Sequence, residues 1–242
     1  MNIPTELNAI CETGVFWRGD EMNNYIGGFK LNKIYHMDCL DFMKRLPDKC
    51  IDVIITDPPY GIRADMNQQK AGGSCGWRKY NIETDWDLEI PRKEIFDEMF
   101  RVSKNQIIWG GNYFTEFLPA RMGWLIWDKG QRDFSLADGE LAWTSFNKAL
   151  RIFSMSRSQF KHGLNEKRQH PTQKPLKLGI WILDILQNKF KEEVNIVYDP
   201  FAGSGSFLLA CKSRGIKFIG TELIQEYVDI ANKRLQQEVL FK

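Results

Sequence analysis

The chain has 242 residues, and its 33 Lys and Arg against 31 Asp and Glu give a formal net charge of +2. This length suffices for one large domain or two small ones, and so mild a charge neither requires nor excludes a nucleic-acid partner. The five cysteines are scattered and form no CxxC pair, which is typical of a reducing compartment. The sequence also has no run near the ~20 apolar residues of a membrane span and no leader-like start. It therefore predicts a cytoplasmic protein.

The first 29 residues are the least regular part of the chain. They hold Phe16, Trp17 and Tyr25 without a helical or strand period and end near Gly27-Gly28. Because these aromatics would be costly to expose together, a flap packed on the domain is favoured over a mobile arm. Residues 30–242 are predicted to form a single domain.

The next segment predicts a strand over Lys33–Met37 and a helix over Cys39–Leu46, with Asp38 between them. The acid is equally well explained as a helix N-cap or as a ligand-binding group at a strand end. A short turn at Pro47-Asp48 leads from the helix to the following strand.

The run Ile51–Thr56 predicts a buried strand that ends in Asp57-Pro58-Pro59-Tyr60. Two prolines cannot continue a sheet, so they stiffen the strand end. A carboxylate and a proline carbonyl can accept the N–H bonds of a planar amine, while an aromatic ring stacks on its face. The motif therefore indicates an adenine or cytosine amino group, although alone it also fits an ordinary proline turn.

Residues 61–90 show no clean period and hold glycines, aromatics and a basic stretch with Lys70, Arg78 and Lys79. Long irregular loops in compact domains are usually functional or disordered. Beside a catalytic motif, this loop is predicted to contact DNA phosphates and unpaired bases, and an uninvolved loop is the alternative.

Further on, a helix is predicted over Lys93–Ser103 and a strand over Gln106–Trp109, followed by glycines that either line a pocket or make a tight turn. Three more short strands are predicted, of which the last two should pair at the sheet edge: Trp124–Trp127, Glu140–Trp143 and Leu150–Phe153. Residues 129–169 are a second candidate DNA-contacting region through Lys161, Lys167 and Arg168, although a solvated charged face is the usual meaning of such a run.

A second strand, Val194–Tyr198, runs into Asp199-Pro200-Phe201-Ala202-Gly203-Ser204-Gly205-Ser206 and then into a helical pattern. Glycines at a strand-to-helix turn let the backbone approach a nucleotide cofactor closely. A third strand, Lys217–Thr221, ends in Glu222 about twenty residues after the glycines, where ribose hydroxyls are usually bound.

Together, the DPPY and DPFAGSG motifs and His170-Pro171-Thr172-Gln173-Lys174-Pro175 resemble the β class of amino-group DNA methyltransferases, which use S-adenosylmethionine. The resemblance covers roughly Lys33 to Leu235. It implies an α/β, Rossmann-like fold with a mostly parallel central sheet, an antiparallel edge hairpin and a circularly permuted motif order, so that the strand before Asp38 completes the sheet.

The resemblance also implies roles for individual residues. Asp57, Pro58, Pro59 and Tyr60 would be catalytic on a flipped base, and Asp in the first position goes mostly with adenine N6. Thr172 and Lys174 would bind the cofactor carboxylate, and His170 is interpreted as structural rather than as a metal ligand. The remaining cofactor residues would be Asp38, Asp199, Pro200, Phe201, Gly203, Ser204, Gly205 and Glu222.

The sequence thus predicts a bacterial or phage-encoded, S-adenosylmethionine-dependent methyltransferase acting on adenine N6 in double-stranded DNA, without a metal or membrane partner. Cytosine N4 or RNA adenine as acceptor, a catalytically silent DNA-binding partner and a nucleotide-dependent oxidoreductase are the alternatives. The last lacks any matching catalytic motif. A homodimer and a cognate restriction endonuclease are left open.

Overall fold

The computed structural model describes residues 24–62, 89–132, 137–156 and 173–236. A two-stranded hairpin, β1 (Tyr25–Ile26) and β2 (Phe29–Lys30), comes first. The main sheet has eight strands: β3 (Lys33–His36), β4 (Ile51–Thr56), β5 (Ser103–Trp109), β6 (Trp124–Asp128), β7 (Gly139–Thr144), β8 (Arg151–Ser154), β9 (Ile196–Asp199) and β10 (Lys217–Glu222).

The sheet order is β3-β10-β9-β4-β5-β7-β6-β8. Strands β3, β10, β9, β4 and β5 are parallel neighbours, whereas β7 is antiparallel to both β5 and β6. The predicted α/β fold, with a mostly parallel sheet and an antiparallel hairpin, is confirmed.

Within the described ranges, five α-helices cover the sheet: α1 (Cys39–Met43), α2 (Lys93–Val102), α3 (Leu176–Asp184), α4 (Ser206–Ser213) and α5 (Gln225–Gln236). Helices α1 and α2 pack with Ile54 and Ile108 on one face, and α3, α4 and α5 pack with Ile55 and Ile107 on the other. Both faces of the central strands are therefore buried, which explains why Val53, Ile54 and Ile55 of β4 are all apolar rather than alternating with polar residues.

The first and last strands of the parallel part lie side by side, since β3 pairs with β10 in the register Glu222↔His36. This places the N-terminal strand next to the C-terminal one, as the permuted motif order predicts. It also brings Asp38 and Glu222 to the same edge of the sheet, where parallel strands end together.

The prediction that Glu140–Trp143 pairs with Leu150–Phe153 at the sheet edge is wrong. β7 is inserted between β5 and β6, and the edge strand β8 runs parallel to β6 in the register Ile126↔Ile152. Short strands of similar composition do not encode their neighbours locally, because pairing is decided by packing across the sheet. β7 is accordingly an interior strand, and its first charged residue, Glu140, faces the site described below.

The hairpin of β1 and β2 packs on the domain through Phe29, which is buried against Phe42 of α1 with ring centroids 4.3 Å apart. A Cβ on Gly27 would lie 2.8 Å from the Arg45 carbonyl oxygen, so the turn itself touches the domain. Residues 1–23 lie outside the described ranges, and the division of the chain at residue 29 stays a prediction. Within the described ranges, no helix is long and apolar enough to cross a membrane.

Candidate functional site

A cleft opens at the carboxyl ends of the parallel strands. Its wall includes Asp57 after β4, the loop from Asp199 to Ser204 after β9, Glu222 at the end of β10 and Asp38 after β3. β4 and β9 are adjacent in the sheet, and the Thr56 hydroxyl donates a 2.7 Å hydrogen bond to Asp199 Oδ1. The two Asp-Pro motifs therefore lie side by side at the edge where open α/β sheets bind ligands.

Both carboxylate oxygens of Asp57 already have a partner. The Tyr60 hydroxyl donates to Oδ1, and the Lys174 ammonium donates to Oδ2. Since Lys174 precedes α3 and lies 117 residues away in the chain, the sequence gives no local indication of this contact. Lys174 lines the cleft and its ammonium is held by protein carboxylates, and its predicted contact with the cofactor carboxylate stays a prediction.

A second ion pair continues from Lys174 away from the cleft. Glu140 Oε2 lies 3.1 Å from Lys174 Nζ, and Glu140 Oε1 lies 2.6 Å from Lys129 Nζ. Lys129 and Lys174 are 5% and 7% exposed, so two carboxylates and two ammonium groups alternate in a nearly dry cluster. Sequence analysis did not identify Glu140 or Lys129 as site residues. The pattern that could have indicated them is a charged residue next to an otherwise apolar strand.

Burial and mutual attraction set the protonation of this cluster. Burial raises the pKa of Asp57, and repulsion from Glu140 adds to this although Lys174 opposes it. Burial also disfavours the ionised form of Glu140, but Lys174 and Lys129 outweigh it and lower the pKa of that carboxyl to about 2. The pKa of Lys174 is raised, because Asp57 and Glu140 outweigh the opposing effect of burial. The surroundings therefore favour the charged forms of Lys174 and Glu140, whereas burial disfavours the ionised form of Asp57.

Tyr60 is positioned by the turn after β5. Gly110 adopts φ 70°, and a Cβ there would lie 2.1 Å from Tyr60 Cε1. Tyr113, in the 3₁₀ turn Gly111–Tyr113, stacks on the Tyr60 ring with centroids 4.8 Å apart. Gly110 makes a tight left-handed turn and leaves the space that the Tyr60 ring fills, but neither glycine lines the cleft.

The loop after β9 forms the other half of the cleft. Glu222 Oε2 accepts a 2.9 Å hydrogen bond from the Gly203 amide, and Oε1 accepts one of 3.0 Å from the Ile224 amide. Ser204 lines the cleft, while its hydroxyl accepts a 3.0 Å hydrogen bond from the buried Arg234 guanidinium. Gly205 is the N-cap of α4, where a Cβ would lie 3.1 Å from Ile34 Cδ1, so its small size serves helix packing.

Asp38 combines the two roles that the sequence left open. Its Oδ1 caps α1 by accepting from the Leu40 and Asp41 amides at 2.8 and 3.1 Å. The same side chain lines the cleft together with Met37 and Cys39. One carboxylate oxygen takes the cap, so the other is available to accept from a bound ligand.

The cleft suits S-adenosylmethionine in the chemistry of its walls. Carboxylates at Asp38, Asp199 and Glu222 offer acceptors for amino and hydroxyl groups, and apolar side chains such as Ile224 and Tyr227 line the same cleft. Gly203, at φ 49°, has no side chain, so the backbone of the glycine loop itself forms part of the cleft wall. The residues present therefore fit a nucleoside with a charged amino-acid tail.

Most of the predicted site residues that the structure describes line the cleft: Asp38, Asp57, Pro59, Lys174, Asp199, Pro200, Phe201, Gly203, Ser204 and Glu222. Tyr60 is bonded to Asp57, while Pro58 and Gly205 do not line the cleft. Seven predicted residues lie outside the described ranges: Lys70, Arg78, Lys79, Lys161, Lys167, Arg168 and Thr172. Their roles stay predictions. Structure adds Gln173, Leu223, Ile224 and Tyr227 to the cleft wall.

Comparison with known proteins agrees with this geometry. The profile of a DNA methylase family matches residues 106–233, more than half of the chain. The chain belongs to this family. The prediction of a DNA amino-methyltransferase that depends on S-adenosylmethionine is thereby confirmed at the level of the family.

Individual relatives resemble this DNA methylase over most of its length. The Type II methyltransferase M.HinfI of Haemophilus influenzae is 27% identical, with 86% of this chain and 69% of the relative covered. The Type II methyltransferase M.BglII of Bacillus subtilis is 24% identical over 86% of this chain and 70% of the relative.

Solved structures share the fold of this methylase. The M1.HpyAVI–SAM complex is 25% identical with a TM-score of 0.53, covering 85% of this chain and 99% of that chain. The cytosine-N4-specific PvuII DNA methyltransferase superposes with a TM-score of 0.54 over 86% and 87% of the two chains. At 14% identity it shows the shared fold alone.

Proposed function

We propose that this DNA methylase transfers the methyl group of S-adenosylmethionine to N6 of an adenine in DNA. The observation that carries the proposal is the common cleft of Asp57 and the Asp199–Ser204 loop, at the ends of two adjacent parallel strands. An acceptor amine bound to Asp57 would therefore lie next to a methyl donor bound along the glycine loop.

S-adenosylmethionine supplies a methyl group on a sulfonium, and its carbon–sulfur bond breaks as the amine nitrogen bonds to the methyl carbon. The amine lone pair is delocalised into the base ring, so Asp57 and the Pro58 carbonyl would accept its two N–H bonds and favour attack. The methylated nitrogen then loses one proton, for which the Asp57 carboxylate is the nearest acceptor. Most of the rate enhancement would come from positioning and charge placement rather than strong base catalysis.

The target base must leave the duplex to reach this site. Asp57 is 16% exposed at the bottom of the cleft, where a paired base cannot reach it. The flipped base would stack on an aromatic ring at Tyr60, and the Tyr113 ring that now covers Tyr60 would have to shift or form the outer wall of the site. Residues 61–90 and 129–169 would supply the DNA contacts.

Adenine is favoured over cytosine by the residue at position 57. In the amino-methyltransferases that the motifs resemble, Asp there goes mostly with adenine N6 and Ser more often with cytosine N4. The fold does not separate the two, because a cytosine-N4 enzyme shares it. The decisive experiment is to incubate the protein with S-adenosylmethionine and DNA, then digest the DNA and identify the methylated nucleoside by mass spectrometry. N4-methylcytosine as the product would overturn the adenine proposal.

Asp57→Ala should abolish methyl transfer and leave S-adenosylmethionine affinity within about threefold, because Asp57 contacts the amine rather than the glycine loop. Asp57→Asn is the matched variant, since it keeps the side-chain shape and loses the charge. Calorimetric titration and a transfer assay on both variants provide the measurement. Turnover near the wild-type rate in either variant would contradict the assigned role.

A further inference from the structure

The arrangement of charges around Lys174 is asymmetric. Its ammonium is hydrogen-bonded to Asp57 Oδ2, while Glu140 Oε2 lies 3.1 Å away on the other side. That second contact is close enough for an ion pair, yet among the described residues the buried Oε2 atom accepts no hydrogen bond of suitable geometry. One ammonium thus lies between two carboxylates, with a well-aligned hydrogen bond to Asp57 and only a longer ion-pair contact to Glu140.

Glu140 is held in place through its other oxygen. Lys129 Nζ lies 2.6 Å from Oε1, and Lys129 itself is only 5% exposed. Because this partner fixes the carboxylate on β7, Oε2 remains directed toward Lys174 whatever that lysine does. Moving Lys174 onto Oε2 would need only a small shift of a flexible side chain.

The reaction would be favoured by such a shift. Asp57 would accept an N–H of the target amine, and each of its oxygens already has one donor, the Tyr60 hydroxyl on Oδ1 and Lys174 on Oδ2. An ammonium on Oδ2 also withdraws charge from the carboxylate and weakens it as an acceptor. A free buried ammonium would be costly, so Lys174 can leave Asp57 only if another carboxylate receives it.

We propose that Glu140 is a positioning residue that receives the Lys174 ammonium when the target amine binds to Asp57. In the free enzyme Lys174 neutralises Asp57, and in the complex it pairs with Glu140 Oε2, leaving Asp57 Oδ2 to accept the amine N–H. No covalent bond changes in this step. The inference rests on the proposed function, because it assumes that Asp57 binds the acceptor amine.

The charges facing Asp57 predict a pH signature for this role. Lys174, Glu140 and the Tyr60 hydroxyl surround its carboxyl, and Asp199 lies on the neighbouring strand. Glu140 repels the Asp57 carboxylate, so Glu140→Gln removes a negative charge and lowers the pKa of Asp57. The acid limb of the kcat/KM profile should therefore move to lower pH in this variant.

The test compares wild type, Glu140→Gln and Glu140→Asp, with Asp97→Asn as a surface control. Asp97 pairs with Lys93 on α2 and is 54% exposed. Glu140→Gln should lower kcat by about 10- to 100-fold, because Lys174 stays on Asp57. Its S-adenosylmethionine Kd should stay within about twofold of wild type, since Glu140 does not line the cleft. Glu140→Asp should regain part of kcat, and the control should match wild type.

Two results would overturn the proposal: a kcat within about threefold of wild type in Glu140→Gln, or a lower kcat with an unmoved acid limb. If the lone Lys129 prevents Glu140→Gln from folding, the double variant Lys129→Met/Glu140→Gln removes both charges and should show the same loss. Titration of the Asp57 carboxyl by ¹³C NMR does not need turnover. A midpoint that does not fall in the variant would also reject the inference, even for a protein that methylated no DNA.

Discussion

At the scale of single residues, Asp199 is a buried carboxyl whose pKa lies near neutrality. It is 2% exposed and accepts from the Thr56 hydroxyl at 2.7 Å and the Phe201 amide at 3.1 Å. Burial, with repulsion from Asp57 and Glu222, raises its pKa from 3.8 to about 7 despite the two hydrogen bonds. A carboxyl at the cofactor cleft is thus partly protonated under ordinary conditions.

This shift predicts a stability difference that depends on pH. Because the pKa of Asp199 is higher in the folded state, the carboxyl stabilises the fold fully below its unfolded pKa of 3.8, and this stabilisation is lost as pH rises through about 7. Asp199→Asn keeps an acceptor oxygen but does not titrate. Between pH 5 and 8, wild type should lose roughly 2 to 3 kcal/mol of unfolding free energy relative to Asp199→Asn.

Urea denaturation of both proteins at several pH values provides the measurement, because all other titrating groups are shared and cancel in the difference. A difference in unfolding free energy that stays constant from pH 5 to 8 would show that Asp199 titrates at an ordinary pKa.

At the scale of elements, the turn after β5 connects an interior strand to Tyr60. The Gly110 amide donates a 2.8 Å hydrogen bond to the Leu141 carbonyl of β7, and the Tyr113 amide donates one of 2.8 Å to the Gly110 carbonyl. The turn is therefore fixed to the antiparallel strand that also carries Glu140. Through β7, the position of Tyr60 and the position of the Glu140 carboxylate depend on the same strand pairing.

Gly110→Ala should displace the Tyr60 ring, because the added Cβ would lie 2.1 Å from Cε1, and should lower kcat roughly 100-fold. Cofactor affinity should change little, since Gly110 does not line the cleft. Gly215→Ala is the matched control: its φ of 68° is nearly the same as the 70° of Gly110, but no atom lies within 4 Å of the added Cβ. Steady-state kinetics and thermal melts on both variants distinguish the effect of the clash with Tyr60 from the effect of strain in the left-handed backbone. Equal losses of kcat in the two variants would leave strain as the sole cause.

At the scale of the whole molecule, the cleft edge and the opposite edge of the sheet should differ in DNA binding. The parallel strands end at the cleft, whereas β9 begins at the far edge shortly after Lys189 and Lys191.

Only about forty residues lie between Lys129 and His170, and β7 and β8 occupy part of them. Few residues of this segment remain to contact base edges, and each base pair that is read needs a side chain that reaches its groove edge.

A short recognition sequence or relaxed specificity is therefore expected, with phosphate contacts supplying much of the affinity. Binding should weaken steeply with salt, and Lys167→Ala/Arg168→Ala should flatten the slope of log K against log salt by roughly 2. Lys189→Ala/Lys191→Ala removes the same charge from the opposite edge and should leave the slope unchanged. Fluorescence anisotropy over a salt series measures both. Methylome sequencing of a host expressing the protein would contradict the expectation by showing a strictly read site of six or more bases.

The sequence by itself determined the central strands and the family, since these follow from local patterns. An apolar stretch that ends in Asp57-Pro58-Pro59-Tyr60 indicates a buried strand and the sheet edge where a ligand is expected, and the same holds for Asp199 and Glu222. The permuted motif order also predicted that the strand before Asp38 completes the sheet, and its pairing with β10 confirms this.

Only the tertiary structure decided which side chains meet. Lys174 reaches Asp57 across 117 residues, Glu140 faces Lys174 because β7 lies inside the sheet, and Gly110 leaves room for Tyr60. None of these contacts has a periodic or spacing signature, since strand order and register are set by packing over the whole sheet. The catalytic motif can be recognised from its own residues, but the charges that tune it come from distant strands whose neighbours no local pattern specifies.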